Sequence, residues 1–250
     1  MTDAPPPSEG QAQLTEDLGN VLARMGGVLL SVETVDTAVG LVTQLAVETL
    51  AGSSGAGVTL VDERGKRSTA SSNSLVEQAD ALQYQLDSGP CLTAWRDRTV
   101  VGIDDVATET RWPEWTAAVA TLGVGSMLSA PLVAGGVSIG AIKVYSSQAH
   151  AYGAQSERVL HLFAEQAAIL LANTQTLSDA RRMAVELTAA LRNRDVISRA
   201  EGVLLAQGAP DEQTAFGMLA SAARRSDTKL PEVARQLVAS VVTTAGKRTS

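Results

Sequence analysis

Apolar residues recur every three or four positions in three segments of the first third of the chain, residues 14–31, 34–52 and 75–86, and this period predicts helices. The stretch "GAGVTLVDERGKRSTASSN" (55–73) has a β-branched run, a polar turn and a second extended run, which predicts a β-hairpin. The stretch "SMLSAPLVAGGVSIGAIKVYSS" (126–147) predicts a second hairpin that turns at two adjacent glycines.

The segment between the hairpins carries shorter signals. Gly89-Pro90 breaks the chain before a short helix, "VVGIDD" (100–105) predicts a short strand, and a further helix opens near Pro113. Because the strands come as hairpins and do not alternate regularly with helices, we expect an α+β fold, with a mostly antiparallel sheet flanked by helices.

From Gln155 onward the helical period is sustained over more than three heptads. The seam positions, spaced alternately three and four apart, are Phe163, Gln166, Leu170, Asn173, Leu177, Ala180, Ala184, Leu187 and Leu191. Such a seam is typical of a coiled coil, here a modest one because alanine and asparagine dilute it. Alternatively the stripe packs on the protein's own N-terminal helix, and both hold if helices 14–31 and 155–191 form a bundle in a dimer.

Beyond this seam the apolar stripe moves around the long helix. At 100° per residue, Val196, Ala200, Val203 and Leu204 point to a different side, so the helix leaves one partner and meets another.

Two shorter helices follow the long one. Gly208-Ala-Pro210 ends the long helix, Asp211 can cap the next, and Leu230-Pro231 opens the last. Together they predict a small C-terminal domain of three helices.

Composition narrows the class of protein. Of the 250 residues 45% are apolar but only 3% aromatic, so alanine, valine and leucine must fill the core. The single cysteine, Cys91, excludes an internal disulfide and fits a reducing compartment. No stretch approaches the ~20 apolar residues of a membrane span, and the acidic, proline-rich start "MTDAPPPSEGQAQ" is unlike a signal peptide. We expect a disordered tail over residues 1–13, a cytoplasmic location and no membrane partner.

The net charge of −7 argues against a simple nucleic-acid binder, but the charge is unevenly distributed. Residues 1–177 carry 9 basic and 19 acidic side chains, whereas residues 178–250 carry 11 basic and 8 acidic ones. Such asymmetry favours a polyanionic partner for the basic part. On charge alone, a solvated helical surface remains the simpler explanation of so small an excess.

The stretch "RDVISRAEGVLLAQGAPDEQTAFGMLASAARRSDTKLPEVARQLV" resembles the ANTAR domain, over roughly residues 180–242. The matching positions are Ala200-x-Gly202, Val203, Leu204, Ala215-Phe216, Leu219, Ala223 and Lys229-Leu230-x-x-Val233-Ala234. The preceding part resembles a GAF domain, through "GPCLTAW", "RWPEWTAAVATLGVGSMLSAPLVAGGVSIGAIKVYS" and the helix "SERVLHLFAEQAAILLANT". Together they look like the actinobacterial GAF–ANTAR regulators.

The resemblance implies a GAF-like sensor domain over residues 14–177, an ANTAR RNA-binding domain over residues 178–242 and a flexible tail over residues 243–250. It implies a signal-responsive regulator that binds paired stem-loops in nascent RNA as a dimer and acts as a transcription antiterminator. The homodimer would form through the N-terminal and coiled-coil helices, and the GAF domain would take a small-molecule ligand, if any, that the sequence does not identify.

Arginine is the residue type on which RNA binding depends. Arg192 and Arg199 are seven apart and share one helix face, whereas Arg194 and Glu201, also seven apart, lie on nearly the opposite face. The other RNA-binding candidates lie where the second short helix passes into the third: Arg224, Arg225 and Lys229. Guanidinium groups neutralise phosphate and stack on unpaired bases, which suits RNA loops better than duplex.

Two observations weigh against this interpretation. Asp195 and Arg199 are four apart, so a surface ion pair worth about 0.3–0.5 kcal/mol also explains this arginine. The ANTAR family commonly has Lys or Gln at the position of Glu201, where a carboxylate facing RNA would repel phosphate.

Small residues and one aromatic complete the ANTAR-like part. We expect Ala200, Gly202, Ala215 and Phe216 to maintain helix packing. Phe216 is the only aromatic residue of this part, and a core position is favoured over base stacking.

In the GAF-like part, a sensor pocket would lie on the concave side of the sheet, roofed by residues 75–122. The residues that either line this pocket or form ordinary core are Tyr84, Trp95, Trp112 and Trp115. Cys91 lies at the predicted start of a short helix, where it is either redox-active or, as is commoner, buried and inert.

No pattern of catalysis or cofactor binding stands out. His150 and His161 are eleven apart without a cysteine at metal-ligand spacing, which argues against zinc. Cys91 is not followed by the histidine that often accompanies bilin attachment in GAF domains. We expect no cofactor and no enzymatic activity.

Two other function classes remain open. The overall acidity and Glu201 suit a non-enzymatic protein-interaction or signalling module, and three small helices suit a DNA-binding regulator.

Overall fold

The computed structural model describes Gly19, residues 34–61 and residues 67–246, and the chain divides into two compact units between Ser178 and Asp179. The predicted tail, residues 1–13, lies outside the described residues. So does the predicted helix 14–31, except for Gly19.

The first unit alternates short helices with the strands of one sheet. Its elements are α1 (Val35–Thr49), β1 (Gly55–Val61), β2 (Arg67–Ser71), α2 (Ser74–Gln85), α3 (Pro90–Asp97), β3 (Val101–Ile103), α4 (Pro113–Thr121), β4 (Ser126–Ala134), β5 (Val137–Ser146) and the first part of α5 (Ala154–Ala206). Helix starts follow local chemistry: the Asn73 side chain accepts a hydrogen bond from the Val76 amide at 3.1 Å, and prolines open α3 and α4.

The five strands form one antiparallel sheet in the order β2-β1-β5-β4-β3. Both predicted hairpins are present, β1 with β2 and β4 with β5. The predicted α+β fold, an antiparallel sheet with flanking helices, is confirmed.

Helices cover both faces of the sheet. α1 and the first turns of α5 bury one face, in a core that includes Val42, Val58, Ile142, Leu160 and Phe163. α2, α3 and α4 cover the other face, in a core that includes Val76, Ala94, Trp115, Met127 and Tyr145. Successive residues of a strand point to opposite faces, so β5 contributes Ile142 to one core and Tyr145 to the other.

The heptad seam divides between two environments. Phe163 and Leu170, predicted as coiled-coil positions, are buried in the core of the first unit. Leu162 and Ile169 are instead the exposed apolar residues of these turns, at 46% and 50%. Two apolar stripes run side by side here, and spacing alone does not tell which of them the sheet covers.

The second unit consists of the last part of α5 with α6 (Glu212–Ser226) and α7 (Leu230–Gly246). Asp211 caps α6 as predicted, accepting a hydrogen bond from the Thr214 amide at 2.7 Å. The small core is built from Ala200, Leu204, Ala215, Leu219 and Ala234. α7 continues to Gly246, past residue 242 where the sequence predicts the domain to end.

Gly140 is the position where the sheet tolerates no side chain. Its φ is +158°, and a Cβ there would come within 2.0 Å of the backbone oxygen of Thr59 on β1. Gly140→Ala should lower the free energy of unfolding by about 1–3 kcal/mol from backbone conformation alone, with the clash adding to it. Urea unfolding followed by tryptophan fluorescence measures this, because all three tryptophans lie in the first unit. Gly153→Ala, where a Cβ meets nothing within 4 Å, is the control; equal loss in both variants would contradict the prediction.

Candidate functional sites

A cluster of buried polar side chains lies under α2 and α3, on one face of the sheet of the first unit. Lys143 of β5 is fully buried, and its ammonium nitrogen lies 2.5 Å from the Asp80 carboxylate and 2.7 Å from the Thr59 hydroxyl. The Tyr145 hydroxyl donates a hydrogen bond to Asp80 at 3.1 Å. A charged pair therefore occupies the sheet face covered by residues 75–122, the segment under which the sequence suggests a sensor pocket.

Local geometry makes room for this cluster. Gly57 of β1 is the cross-strand partner of Lys143, and a Cβ there would come within 2.6 Å of the Lys143 side chain. Gln83 connects Tyr145 of this cluster to the start of α3. Its side chain donates to the Tyr145 hydroxyl at 3.3 Å and accepts from the Cys91 amide at 2.8 Å. The sequence contains one signal of this arrangement, a lone lysine inside an otherwise apolar strand.

The charges in the cluster shift one another's protonation. Burial raises the pKa of the Asp80 carboxyl, although the nearby Lys143 ammonium opposes the shift. Burial is the largest single influence on Lys143 and lowers its pKa, but the attraction of the Asp80 carboxylate, with smaller contributions from Cys91 and Tyr84, raises that pKa above its ordinary value. The lysine is therefore charged at neutral pH, and its attraction to Asp80 offsets part of the cost of burying both groups.

The predicted pocket residues mostly serve as core. Cys91, Trp112 and Trp115 are buried, and the Trp115 indole donates to the Ala79 carbonyl at 3.1 Å. The Trp95 indole donates to the Ser138 carbonyl at 3.1 Å, while the Ser138 hydroxyl donates back to the Trp95 carbonyl at 3.0 Å. These reciprocal bonds fasten α3 to β5.

Tyr84 belongs to the polar cluster. Its hydroxyl is hydrogen-bonded to the Thr59 hydroxyl, and burial raises the pKa of Tyr84 to about 12.

A shallow cavity of about 160 Å³ lies elsewhere on the first unit, lined by Leu86, Ser88, Arg111, Trp112, Pro113, Glu114 and Trp115. The Arg111 guanidinium stacks over the Trp112 ring, 4.5 Å from its centroid, and pairs with Glu109 at 2.6 Å. Two of the four predicted aromatic residues, Trp112 and Trp115, therefore meet at one cavity.

Within the described ranges, no three histidine, cysteine, aspartate or glutamate side chains are arranged to hold a metal ion. No helix in the described part of the chain is long and apolar enough to cross a membrane.

In the second unit, every predicted RNA-binding side chain is exposed. These residues are Arg192, Arg194 and Arg199 on α5, Arg224 and Arg225 on α6, and Lys229 between α6 and α7. Among the described residues none of them forms an ion pair, and the surface pair suggested between Asp195 and Arg199 is not formed. Their charges are therefore available to a partner.

The helix geometry sorts these cations into separate groups. Arg192 and Arg199 share one flank of α5, whereas Arg194 lies with Glu201 on nearly the opposite flank. Arg224 and Arg225 diverge at the end of α6, where Arg225 lines an apolar cleft of about 720 Å³ between α6 and α7.

The packing residues predicted in this unit fall into two pairs. Ala200 and Ala215 are fully buried. Gly202 is exposed, and a Cβ there would meet nothing within 4 Å. Phe216 is 45% exposed, so it is not a core residue. The core faces of α5 and α6 run through Ala200, Leu204, Ala215 and Leu219. Phe216 lies next to Ala215, about 100° further round α6, whereas Gly202 lies about 160° from both Ala200 and Leu204 on α5.

α5 also carries an exposed apolar stripe, which begins beside the buried residues of its first turns and continues to Leu191. The stripe lies within a band about 120° wide and comprises Leu162, Ile169, Leu177, Ala180, Met183, Ala184, Leu187 and Leu191. The C-terminal half of the predicted heptad seam belongs to it. Exposed apolar surface of this extent is characteristic of an interaction site.

The buried pair in the first unit allows a test of its own. Lys143→Met should lower the free energy of unfolding by about 3–5 kcal/mol, because it leaves the Asp80 carboxylate buried without a counter-charge. Urea unfolding followed by tryptophan fluorescence reports this unit. Lys143→Met combined with Asp80→Asn should recover part of the loss, since the uncompensated charge is gone. A double variant as unstable as the single one would show that packing, and not charge pairing, sets the effect.

Two of the solved structures that resemble the chain cover 65% and 70% of it. A free methionine-R-sulfoxide reductase from Neisseria meningitidis, solved with its substrate, is 16% identical, with 70% of this chain and 98% of that chain covered and a TM-score of 0.50. The GAF domain of a phosphoenolpyruvate-protein phosphotransferase from Acinetobacter is 14% identical, with 65% and 97% covered and a TM-score of 0.48. A likeness at such identity shows the fold alone. No curated protein matches the chain.

Two sequence families match the chain one after the other. The GAF domain family matches residues 32–172, more than half of the chain, and the ANTAR domain family matches residues 185–238. These ranges fall on the two units that the structure separates. The chain therefore belongs to the GAF domain family and carries an ANTAR domain after it, which is the domain order of a GAF–ANTAR regulator.

Proposed function

We propose that the protein is a signal-responsive RNA-binding regulator, which binds paired stem-loops in nascent RNA as a dimer and acts as a transcription antiterminator. GAF domains are sensor domains and ANTAR domains are RNA-binding antitermination regulators, which supports the two halves of the proposal. The observation that carries it is the exposed pair Arg192 and Arg199, which share one helix flank and have no carboxylate partner among the described residues.

Arg192 and Arg199 are exposed and unpaired in the described part of an acidic chain, so their guanidinium groups are available to a polyanion. Bound to RNA, Arg192 and Arg199 would neutralise phosphates and release counterions. Their planar groups would also bond to the edges of unpaired bases in a loop. Glu201 lies away from this flank, so its carboxylate need not oppose phosphate there.

The exposed apolar stripe of α5 supports a dimer. Its leucines and methionine recur with heptad spacing over the turns where α5 has no covering element among the described residues, so a second copy of the same stripe would bury both. The proposed contribution of helix 14–31 to this dimer concerns residues that lie outside the described ranges.

α5 offers a direct path for the signal, because a single helix begins in the core of the GAF domain and ends in the core of the ANTAR domain. We infer that a change in the GAF domain alters the spacing of the two ANTAR domains in the dimer, and that one spacing engages both RNA loops. We also propose a cytoplasmic, non-enzymatic role.

RNA binding is tested with purified full-length protein and an RNA carrying two tandem stem-loops, selected from a pool with randomised loop nucleotides. Arg199→Ala should weaken binding about tenfold, because it removes a charge-assisted contact. It should also reduce the slope of log affinity against log salt by about one. Arg182→Ala is the control, since Arg182 is exposed but paired with Asp179 at 2.9 Å.

Two outcomes would contradict the RNA proposal. One is that no RNA is selected, and the other is that duplex DNA competes as well as the stem-loops do. The second would favour a DNA-binding regulator.

The dimer is tested by placing a charge on the stripe. Leu187→Lys should shift the protein toward the monomer in analytical ultracentrifugation and weaken self-association at least about tenfold, because it would bury an ammonium group at the seam. Val185→Lys is the matched control: Val185 is 70% exposed against 63% for Leu187, but lies about 200° around the helix. Equal sedimentation of the two variants would exclude the stripe as the interface.

A further inference from the structure

Phe216 is unusual among the aromatic residues of the chain. All eight lie in the described ranges, and seven of them are buried or half-buried: Tyr84, Trp95, Trp112, Trp115, Tyr145, Tyr152 and Phe163. Phe216 alone is classed as exposed, at 45%. In a protein with so few aromatic residues, the exposed one lies in the ANTAR domain.

The surroundings of Phe216 on α6 form a short stripe, which we call the Phe216 face: Phe216, Ala220 and Arg224. These residues are four apart, so they follow one another along one side of the helix. Arg224 donates from Nε to the Ala220 carbonyl at 3.4 Å, so its guanidinium lies back along the helix in the direction of Phe216. Ala220 carries only a methyl group and leaves no bulky side chain between ring and cation.

The charge on this face is not neutralised internally. Among the described residues Arg224 forms no ion pair. The carboxylates nearest to this face in sequence are Glu212, one turn before Phe216, and Asp227, three residues after Arg224, and neither forms an ion pair with Arg224. An exposed ring followed two turns later by an unpaired guanidinium on the same helix face is a combination suited to single-stranded nucleic acid, since the ring can stack on a base and the cation can meet the backbone.

We propose that the Phe216 face holds an unpaired nucleotide of the RNA loop, with its base stacked on the Phe216 ring and its phosphate held by Arg224. This inference rests on the proposed RNA-binding function and deepens it. Stacking is tolerant of sequence because every base has a flat face, so Phe216 supplies affinity for an unstacked base and selects a loop over a duplex. The contacts of Arg192 and Arg199 with phosphates and base edges would add to this stacking.

The test uses the tandem stem-loop RNA selected by the full-length protein, with 2-aminopurine placed in turn at each loop position. Phe216→Ala should weaken binding about tenfold or more. It should leave the salt slope unchanged, because no phosphate contact is lost, and should abolish the fluorescence change at one loop position. Phe216→Trp should retain both affinity and fluorescence change, whereas Phe216→Leu, apolar but without a ring, should not.

Met218→Ala is the matched control. Met218 is an apolar residue of the same helix with nearly the same exposure, 49%, but it lines the cleft between α6 and α7. Helical content and thermal unfolding check that each variant is folded.

The outcomes separate this inference from the proposed function. If the wild type selects no stem-loop RNA, both fail together. If the wild type binds RNA and Phe216→Ala binds as well as Met218→Ala does, the Phe216 face is excluded while RNA binding stands. If Met218→Ala alone weakens binding, the loop nucleotide occupies the cleft, and the inference is overturned as well.

Discussion

The helix α5 passes through three environments along its length: the core of the first unit, solvent, and the core of the second unit. The rest of the structure depends on which of its faces is apolar in each of them. The first turns of α5 complete the core of the GAF domain through Leu160 and Phe163, and its last turns begin the core of the ANTAR domain through Ala200 and Leu204. Between them, residues 180–192 are all exposed. Because an α-helix repeats every 3.6 residues, a seven-residue seam drifts around it, and different faces are apolar in different segments.

In the GAF domain, charged and polar side chains, and not an apolar ligand pocket, lie on the sheet face that α2 and α3 cover. A buried ion pair between Lys143 and Asp80, with Tyr145 and Gln83 bonded around it, occupies the space beneath α2 and α3. Such a pair contributes little net stability relative to an apolar core but is costly to break. A molecule that entered here would have to replace these contacts with its own polar groups, which restricts it to a polar or charged ligand.

In the ANTAR domain, unlike in the GAF domain, the core is apolar and the predicted RNA-binding cations are all exposed. Its core is made of alanine and leucine side chains, and its predicted RNA-binding cations lie outside that core without ion-pair partners in the described part of the chain. Small core residues such as Ala200 and Ala215 let three short helices pack closely. Leu204 and Leu219 are buried in the same core, whereas Phe216 and Met218 lie outside it and are exposed. The one aromatic ring of the domain is therefore presented to solvent.

The sequence by itself predicted the helices and the two hairpins that the described residues form, because periodicity, Gly-Pro breaks and helix caps such as Asp211 act over a few residues. Short motifs also identified both families, which the family matches confirm. Only the tertiary structure decided which apolar stripe is covered: Phe163 is core although it fits the coiled-coil seam, and Phe216 is exposed although it is apolar. It alone brought Lys143 to Asp80, which are 63 positions apart. Burial and charge pairing depend on what other segments place opposite a residue, and no local pattern encodes that.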